Sequence, residues 1–291
     1  LRLKQQDTQV IPSLLNKIYR IINETVFPPK CLVCSTFLRI PDKYCKDPCV
    51  HIDLDGNGHP LSVQNQLEIS LATHLCPDCL AQIVRVESPL CTCCGIPFKS
   101  RQGQDHYCGA CLSSAKNFGF ARAPLVYDRI ITELIHCFKY RGKIQLARPL
   151  GELLLTAFMF FWDKDSIDII LPVPLHPRRF RRRGFNQAHL LIRNWPDMAA
   201  SGFCDFFPIR IERDVLIRKF PTAPQTALGR TQRAVNIKNA FDVNHQETIV
   251  DQRVLLIDDV YTTGATVNEC GRLLLSRGAQ QVDVLTLARA L

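Results

Sequence analysis

The sequence predicts an α/β parallel-sheet domain preceded by a small cysteine-rich metal module. From Arg122 onward helical and strand patterns alternate, as they do where helices pack on a sheet. Eleven of the fourteen cysteines fall between Cys31 and Cys111, which leaves only Cys137, Cys204 and Cys270 elsewhere, read as ordinary buried thiols. A length of 291 residues with 46% apolar content is enough for one or two domains with a sizeable core, and excludes a disordered or fibrous chain. The composition shift near residue 115 divides the chain into an N-terminal helix over 1–30, a cysteine-rich module over 31–115 and a sheet domain over 116–291.

In the first segment Ile11, Leu14, Leu15, Ile18, Ile21 and Ile22 follow helical spacing and give an amphipathic helix that ends before Pro28 and Pro29. Four Cys-x-x-Cys pairs then follow in order: Cys31/Cys34, Cys76/Cys79, Cys91/Cys94 and Cys108/Cys111. A two-residue gap lets both thiolates of a knuckle reach one tetrahedral ion, and two knuckles complete a closed structural zinc site. A redox role for these pairs needs a thioredoxin-like βαβ setting, which this segment lacks. Sequential pairing is preferred, with Cys31, Cys34, Cys76 and Cys79 on one Zn2+ and Cys91, Cys94, Cys108 and Cys111 on another; an interleaved arrangement stays open. The stretch between the first two pairs carries Cys45, Cys49, His51, His59 and His74, read with Cys93 as spare thiols and surface histidines.

In the sheet domain the periodicity places helices over Ile130–Tyr140 and 147–161. A buried strand at 167–171 opens into Pro172-Val-Pro-Leu-His-Pro177, which cannot be a helix interior. Arg178, Arg179, Arg181, Arg182 and Arg183 come next; read from composition alone the run is a solvated basic loop. A helix follows through Leu190 to Asn194. A second strand, Val254-Leu-Leu-Ile257, leads into Asp258-Asp-Val-Tyr-Thr-Thr-Gly-Ala-Thr266, then a helix over 267–276, Gly278 as its cap and a last strand over 282–287.

The nonamer is the informative stretch. Thr262, Thr263, Gly264, Ala265 and Thr266 present backbone N–H groups and three hydroxyls at a helix N-terminus, where the macrodipole favours a dianionic phosphate. Asp258 and Asp259 are poor phosphate ligands but good acceptors for a cis diol. A diol at the acids with a phosphate in the loop describes a ribose 5-phosphate.

The segment resembles the phosphoribosyl-diphosphate (PRPP) signature of type I phosphoribosyltransferases. Phe138-Lys-Tyr-Arg-Gly142, Pro172 to Arg179, Arg183-Gly-Phe-Asn-Gln-Ala188, Gln225 through Arg233 to Asn236, and Ala240-Phe241, together with the cysteine pairs, resemble the ComF family over almost the whole length. The departure is an insertion at 44–73, within the stretch between the first two cysteine pairs. The resemblance implies a type I phosphoribosyltransferase fold after a double zinc ribbon, with Asp258 and Asp259 as the catalytic acids. PRPP would bind at Tyr261, Thr262, Thr263, Gly264, Ala265 and Thr266, and its pyrophosphate at Arg178 and Arg179, whose planar forks donate bidentately. A mobile hood would carry Arg218, Gln225, Arg230, Arg233 and Asn236, and Mg2+ would accompany PRPP. Purine-salvage relatives place an acidic residue three positions after the second acid; here that position is Thr262, so no general base for a purine is evident.

The net charge of +9 makes polyanions plausible partners. The implied partners are therefore PRPP with an unidentified acceptor, and single-stranded DNA or DNA-uptake proteins, since the resembled family is linked to natural transformation. Two other readings of the fold are a DNA-handling module without catalysis and a PRPP sensor. No signal peptide is evident, and the most apolar stretch, 150–162, is short for a membrane span, so a cytoplasmic location is expected.

Overall fold

The computed structural model describes residues 28–38, 63–100, 102–198, 210–219 and 237–291. The N-terminal helix, Cys45, Cys49, His51, His59, Cys204 and the hood residues Gln225, Arg230, Arg233 and Asn236 lie outside the described residues.

Each metal module is built from a knuckle and a helix start. In the first knuckle the Cys31 N–H donates to Thr36 O, and Lys30 bridges Phe37. In the second, the Cys91 N–H donates to Ile96 O, and Leu90 bridges Pro97. The remaining ligands come from the N-caps and first turns of two short helices, α2 (Pro77–Ala81) after Cys76 and α3 (Gly109–Ser113) after Cys108. Before α2 runs α1 (Val63–Leu71), the end of the insertion.

The sheet domain begins with β1 (Ala121–Arg122), β2 (Leu125–Val126) and α4 (Arg129–Tyr140). The Asp128 carboxylate accepts the Ile131 N–H and starts α4 where the apolar spacing begins. After a 3-10 turn, α5 (Ala147–Phe161) is buried on nearly every side, which explains its lack of a polar face. Ile144–Phe161 is long and apolar enough to cross a membrane, yet 72% of that window is buried within the protein, as in a core helix.

β3 (Ile169–Pro172) is buried on both faces, as its unbroken apolar run requires of a central parallel strand. Next come α6 (Pro177–Arg183), α7 (Gln187–Ile192), α8 (Trp195–Met198), β4 (Arg210–Ile211), β5 (Leu216–Arg218) and β6 (Phe241–Val243). β7 (Arg253–Tyr261), α9 (Ala265–Ser276) and β8 (Gln281–Arg289) close the chain. The main sheet has the order β1-β8-β7-β3-β4, with β2 also on β8 and every pair parallel; β5 and β6 form a separate antiparallel pair.

The arginine run is thus a short helix and not a loop. Pro177 pre-sets its first turn, His176 Nδ1 accepts the Arg178 N–H at 3.1 Å, and Gly184 ends it in the left-handed region. Because the chain leaves β3 outward to β4 and returns to β7 on the other side of β3, the segments following β3 and β7 part from one another. A crevice opens at their carboxyl ends, where open parallel sheets bind ligands.

Candidate functional site

The eight cysteines named above form two clusters. The thiol sulfurs of Cys31, Cys34, Cys76 and Cys79 lie within 4.8 Å of one another, as do those of Cys91, Cys94, Cys108 and Cys111. These are the two sequential sets, each offering four soft thiolates in a closed tetrahedral arrangement that suits structural zinc. Backbone N–H groups of Cys94 and Cys108 point at Cys91 Sγ, at 3.4 and 3.3 Å. Burial works to raise the Cys91 thiol, but these donors prevail and lower it to about 6, whereas burial pushes up Cys94 and Cys111 of the same set. His74 and Cys93 belong to neither set.

The crevice at the end of the sheet is a cleft of about 680 Å³. Asp258 and Asp259 form its floor, at the carboxyl-end part of β7, where pairing with β8 continues through Thr286 to Arg289. The Asp259 N–H donates to Asp258 Oδ1 at 2.8 Å, and Lys139 of α4 makes an ion pair with Asp259. Asp258 keeps some access to the water of the cleft, but the protein crowded around it lifts its carboxyl to about 7. The charge of Asp259 adds to that rise and Lys139 opposes it. Burial alone would lower Lys139; its two carboxylate neighbours prevail and raise it, which keeps the ammonium charged.

One wall is the turn between β7 and α9. Gly264 stands at φ +76° as the N-cap of α9, a conformation that glycine adopts without strain, and Thr262, Gly264, Ala265 and Thr266 line the cleft. Thr263 caps from within, its hydroxyl accepting the Ala265 N–H at 3.4 Å. Tyr261 lines the cleft too and backs the turn. Its ring is buried between Phe118 and Arg289, and a Cβ on Gly264 would collide with its hydroxyl.

The opposite wall is α6 with the segment before it. Arg178, Arg179, Arg182 and Arg183 all line the cleft, joined by Arg218 from β5. Arg183 stacks on Tyr140 at 4.6 Å and donates to its hydroxyl at 2.6 Å. Asn186 ties the wall down: its amide donates to Val173 O at 3.1 Å while its carbonyl accepts the Ala188 N–H. Six basic side chains (Lys139, Arg178, Arg179, Arg182, Arg183 and Arg218) thus face two carboxylates, a field that favours a polyanion. Gln187 Nε2 and Arg183 Nε are buried with no hydrogen-bond partner.

Comparison with known proteins was made against this geometry. The phosphoribosyl transferase domain family matches residues 213–291, which hold the acid pair and the turn, and the double zinc ribbon domain family matches residues 66–112. The DNA utilization protein YhgH of Escherichia coli is 31% identical over 221 residues, covering 75% of this chain and 91% of that protein. Competence protein F of Haemophilus influenzae is 31% identical over 223 residues, 74% of this chain and 90% of that protein. The chain belongs to the ComF family. A further relative in the ComF family, competence protein ComFC of Bacillus subtilis, is 26% identical over 223 residues, 74% of this chain and 84% of its own length.

The ribbon match begins at residue 66, past Cys31 and Cys34. Within the ComF resemblance, Phe138 to Gly142 stood out in the sequence as a motif without a role. The structure gives Lys139 and Tyr140 places in the cleft. Tyr127, Asn186 and Gln187 were not singled out one by one; the signal for Asn186 was its position as an N-cap directly before a helix.

Proposed function

We propose that this ComF-family chain binds PRPP in the cleft and transfers its phosphoribosyl group, in the service of DNA uptake or DNA use. The observation that carries the reading is the meeting of the acid pair and the glycine-threonine turn in one cleft with the arginine wall opposite. The turn and the start of α9 receive the 5-phosphate, Asp258 and Asp259 accept hydrogen bonds from the ribose hydroxyls, and Arg178 and Arg179 hold the pyrophosphate. Arg182, Arg183 and Arg218 add charge to the same wall. Of the residues the resemblance assigns to a hood, Arg218 stands on this wall, and Gln225, Arg230, Arg233 and Asn236 lie outside the described residues.

Displacement of pyrophosphate from C1 passes through an oxocarbenium-like state. The chain contributes orientation of the sugar and neutralisation of the leaving charge. Mg2+, if carried in with PRPP, would be held beside Asp258 and Asp259 and would supply further charge neutralisation. The names of the relatives, a DNA utilization protein and two competence proteins, support the process. A cytoplasmic setting agrees with PRPP as ligand and with eight cysteines kept as thiolates.

A purely DNA-tracking use of the arginine run is less well supported, since four of its five arginines line the cleft. Titration calorimetry with Mg2+-PRPP, followed by a screen of acceptors for pyrophosphate release, tests the proposal. Asp258→Asn combined with Asp259→Asn is expected to abolish release while the far-ultraviolet circular dichroism stays unchanged. Release at the wild-type rate from that variant would refute the assignment.

A further inference from the structure

Arg289, at the end of β8, is 5% exposed and belongs to neither the cleft nor the cysteine sets, yet it touches both neighbourhoods. Its Nη2 donates to Cys94 Sγ at 3.3 Å. Its guanidinium lies 4.2 Å from the centre of the Tyr261 ring. Tyr261 in turn backs Gly264, the N-cap of α9 within the turn over 262–266. The second knuckle is held against the same edge of the sheet. Arg122 Nη1 donates to Thr92 O at 3.0 Å, the Ala121 N–H donates to Cys93 O at 2.7 Å, and Gly95, at φ +67°, approaches Ala121 O too closely to admit a Cβ.

The remaining nitrogens of Arg289 sharpen the point. Nε and Nη1 are buried with no hydrogen-bond partner, a costly state for a cation unless a diffuse negative charge lies close by. Four thiolates around one zinc ion carry a net charge of about −2, and thiolates in such sites take hydrogen bonds from outside the coordination sphere. The second cysteine set therefore supplies what the guanidinium lacks.

We propose that Arg289 is a positioning residue that couples the second metal site to the phosphate-binding turn. One edge of the guanidinium neutralises charge at Cys94, and its plane holds Tyr261 against Gly264. Zinc at Cys91, Cys94, Cys108 and Cys111 then favours the turn geometry that a phosphate needs. By linkage, a phosphate in the turn favours retention of that zinc. The part of this coupling that involves phosphate rests on the PRPP reading of the cleft; the part between metal and turn does not.

The test uses the full-length zinc-loaded protein and two variants, Arg289→Met and Arg289→Lys. Zinc release is followed with a chromophoric chelator, and hydrogen exchange is followed for the amides of 262–266. In Arg289→Met one of the two zinc ions is expected to leave about tenfold to a hundredfold faster, the other at its wild-type rate. Arg289→Lys keeps the charge but not the plane, so zinc retention is expected to stay near wild type while exchange in the turn rises. A residue that only fills space would not separate the two readouts. In the wild type, removal of the second zinc is expected to speed exchange in the turn, and Cys34→Ser, which disables only the first site, is expected to leave it unchanged. The coupling is overturned if the turn exchanges equally fast with and without the second zinc, or if both variants release zinc as the wild type does; the first criterion needs no variant to fold. Adding Mg2+-PRPP is expected to slow loss of the second zinc in the wild type and not in Arg289→Met. Calorimetry that shows no PRPP binding, with the metal-to-turn effect intact, counts against the PRPP reading alone. Binding without protection of the zinc counts against the coupling to phosphate.

Discussion

On the cleft floor Asp258 takes up a proton as the chain folds, because its carboxyl rises from an ordinary 3.8 to about 7. A raised folded value means that the group supports the fold at low pH and that this support fades as pH climbs through about 7. Asn at this position is never charged. Asp258→Asn is therefore expected to melt a few degrees above wild type near pH 8, with the difference narrowing toward pH 5 and gone only below the ordinary value of 3.8; an equal difference at pH 8 and pH 5 in thermal scans would refute the account. If Mg2+-PRPP binds as proposed, it uses the ionised form, and its affinity is expected to rise between about pH 6 and 8. Lys139 pulls the Asp258 carboxyl down, so Lys139→Met is expected to move the midpoint of that rise upward by about one unit, read by calorimetry across pH. The acids were legible in the sequence because two of them end an apolar run before a glycine-threonine stretch. The role of Lys139 was not, because an ion pair across 120 positions leaves no local pattern.

Among the elements, the turn from β7 into α9 is tightly constrained. Gly264→Ala places a side chain at φ +76° and drives it into the Tyr261 hydroxyl. That variant is expected to lose at least tenfold in PRPP affinity and to melt a few degrees lower, and wild-type binding by Gly264→Ala would remove the turn from the phosphate site. Apolar periodicity located α4 and α5 well, since a long amphipathic or apolar run has few other solutions. It shortened β7 to residues 254–257, because Asp258 and Asp259 break the apolar run although their backbone keeps pairing with β8 up to Tyr261. It also read α6 as a loop. Five arginines look like a solvated coil when charge is weighed alone, yet Pro177 at the first turn and Gly184 past the end mark a short helix.

For the molecule as a whole, the pairing order of the cysteines was accessible from spacing, whereas the attachment of the ribbons was not. α1 packs on α5, and Gln66 donates to Ser70 at 2.7 Å while Ser70 donates to Glu152 at 3.0 Å. Cys31, Leu67, Leu71, Cys76 and Cys79 share one apolar cluster with Leu134, Leu150, Phe158 and Leu285. No sequence signal announced that contact, because the partners are far apart in the chain and each looks apolar for its own reasons. Leu71→Ala, in this shared cluster, is expected to cost about 2–5 kcal/mol, measurable by denaturant unfolding, and a loss below about 1 kcal/mol would show that the contact contributes little.

That common cluster has a practical result for anyone cutting the chain. A fragment that starts at residue 116 keeps every strand of the sheet but bares the flank of α5 on which α1 rests, an oily scar in water. Such a fragment would be driven to aggregate, and the cysteine module would behave as a fixed buttress of the sheet domain, not as a detachable accessory.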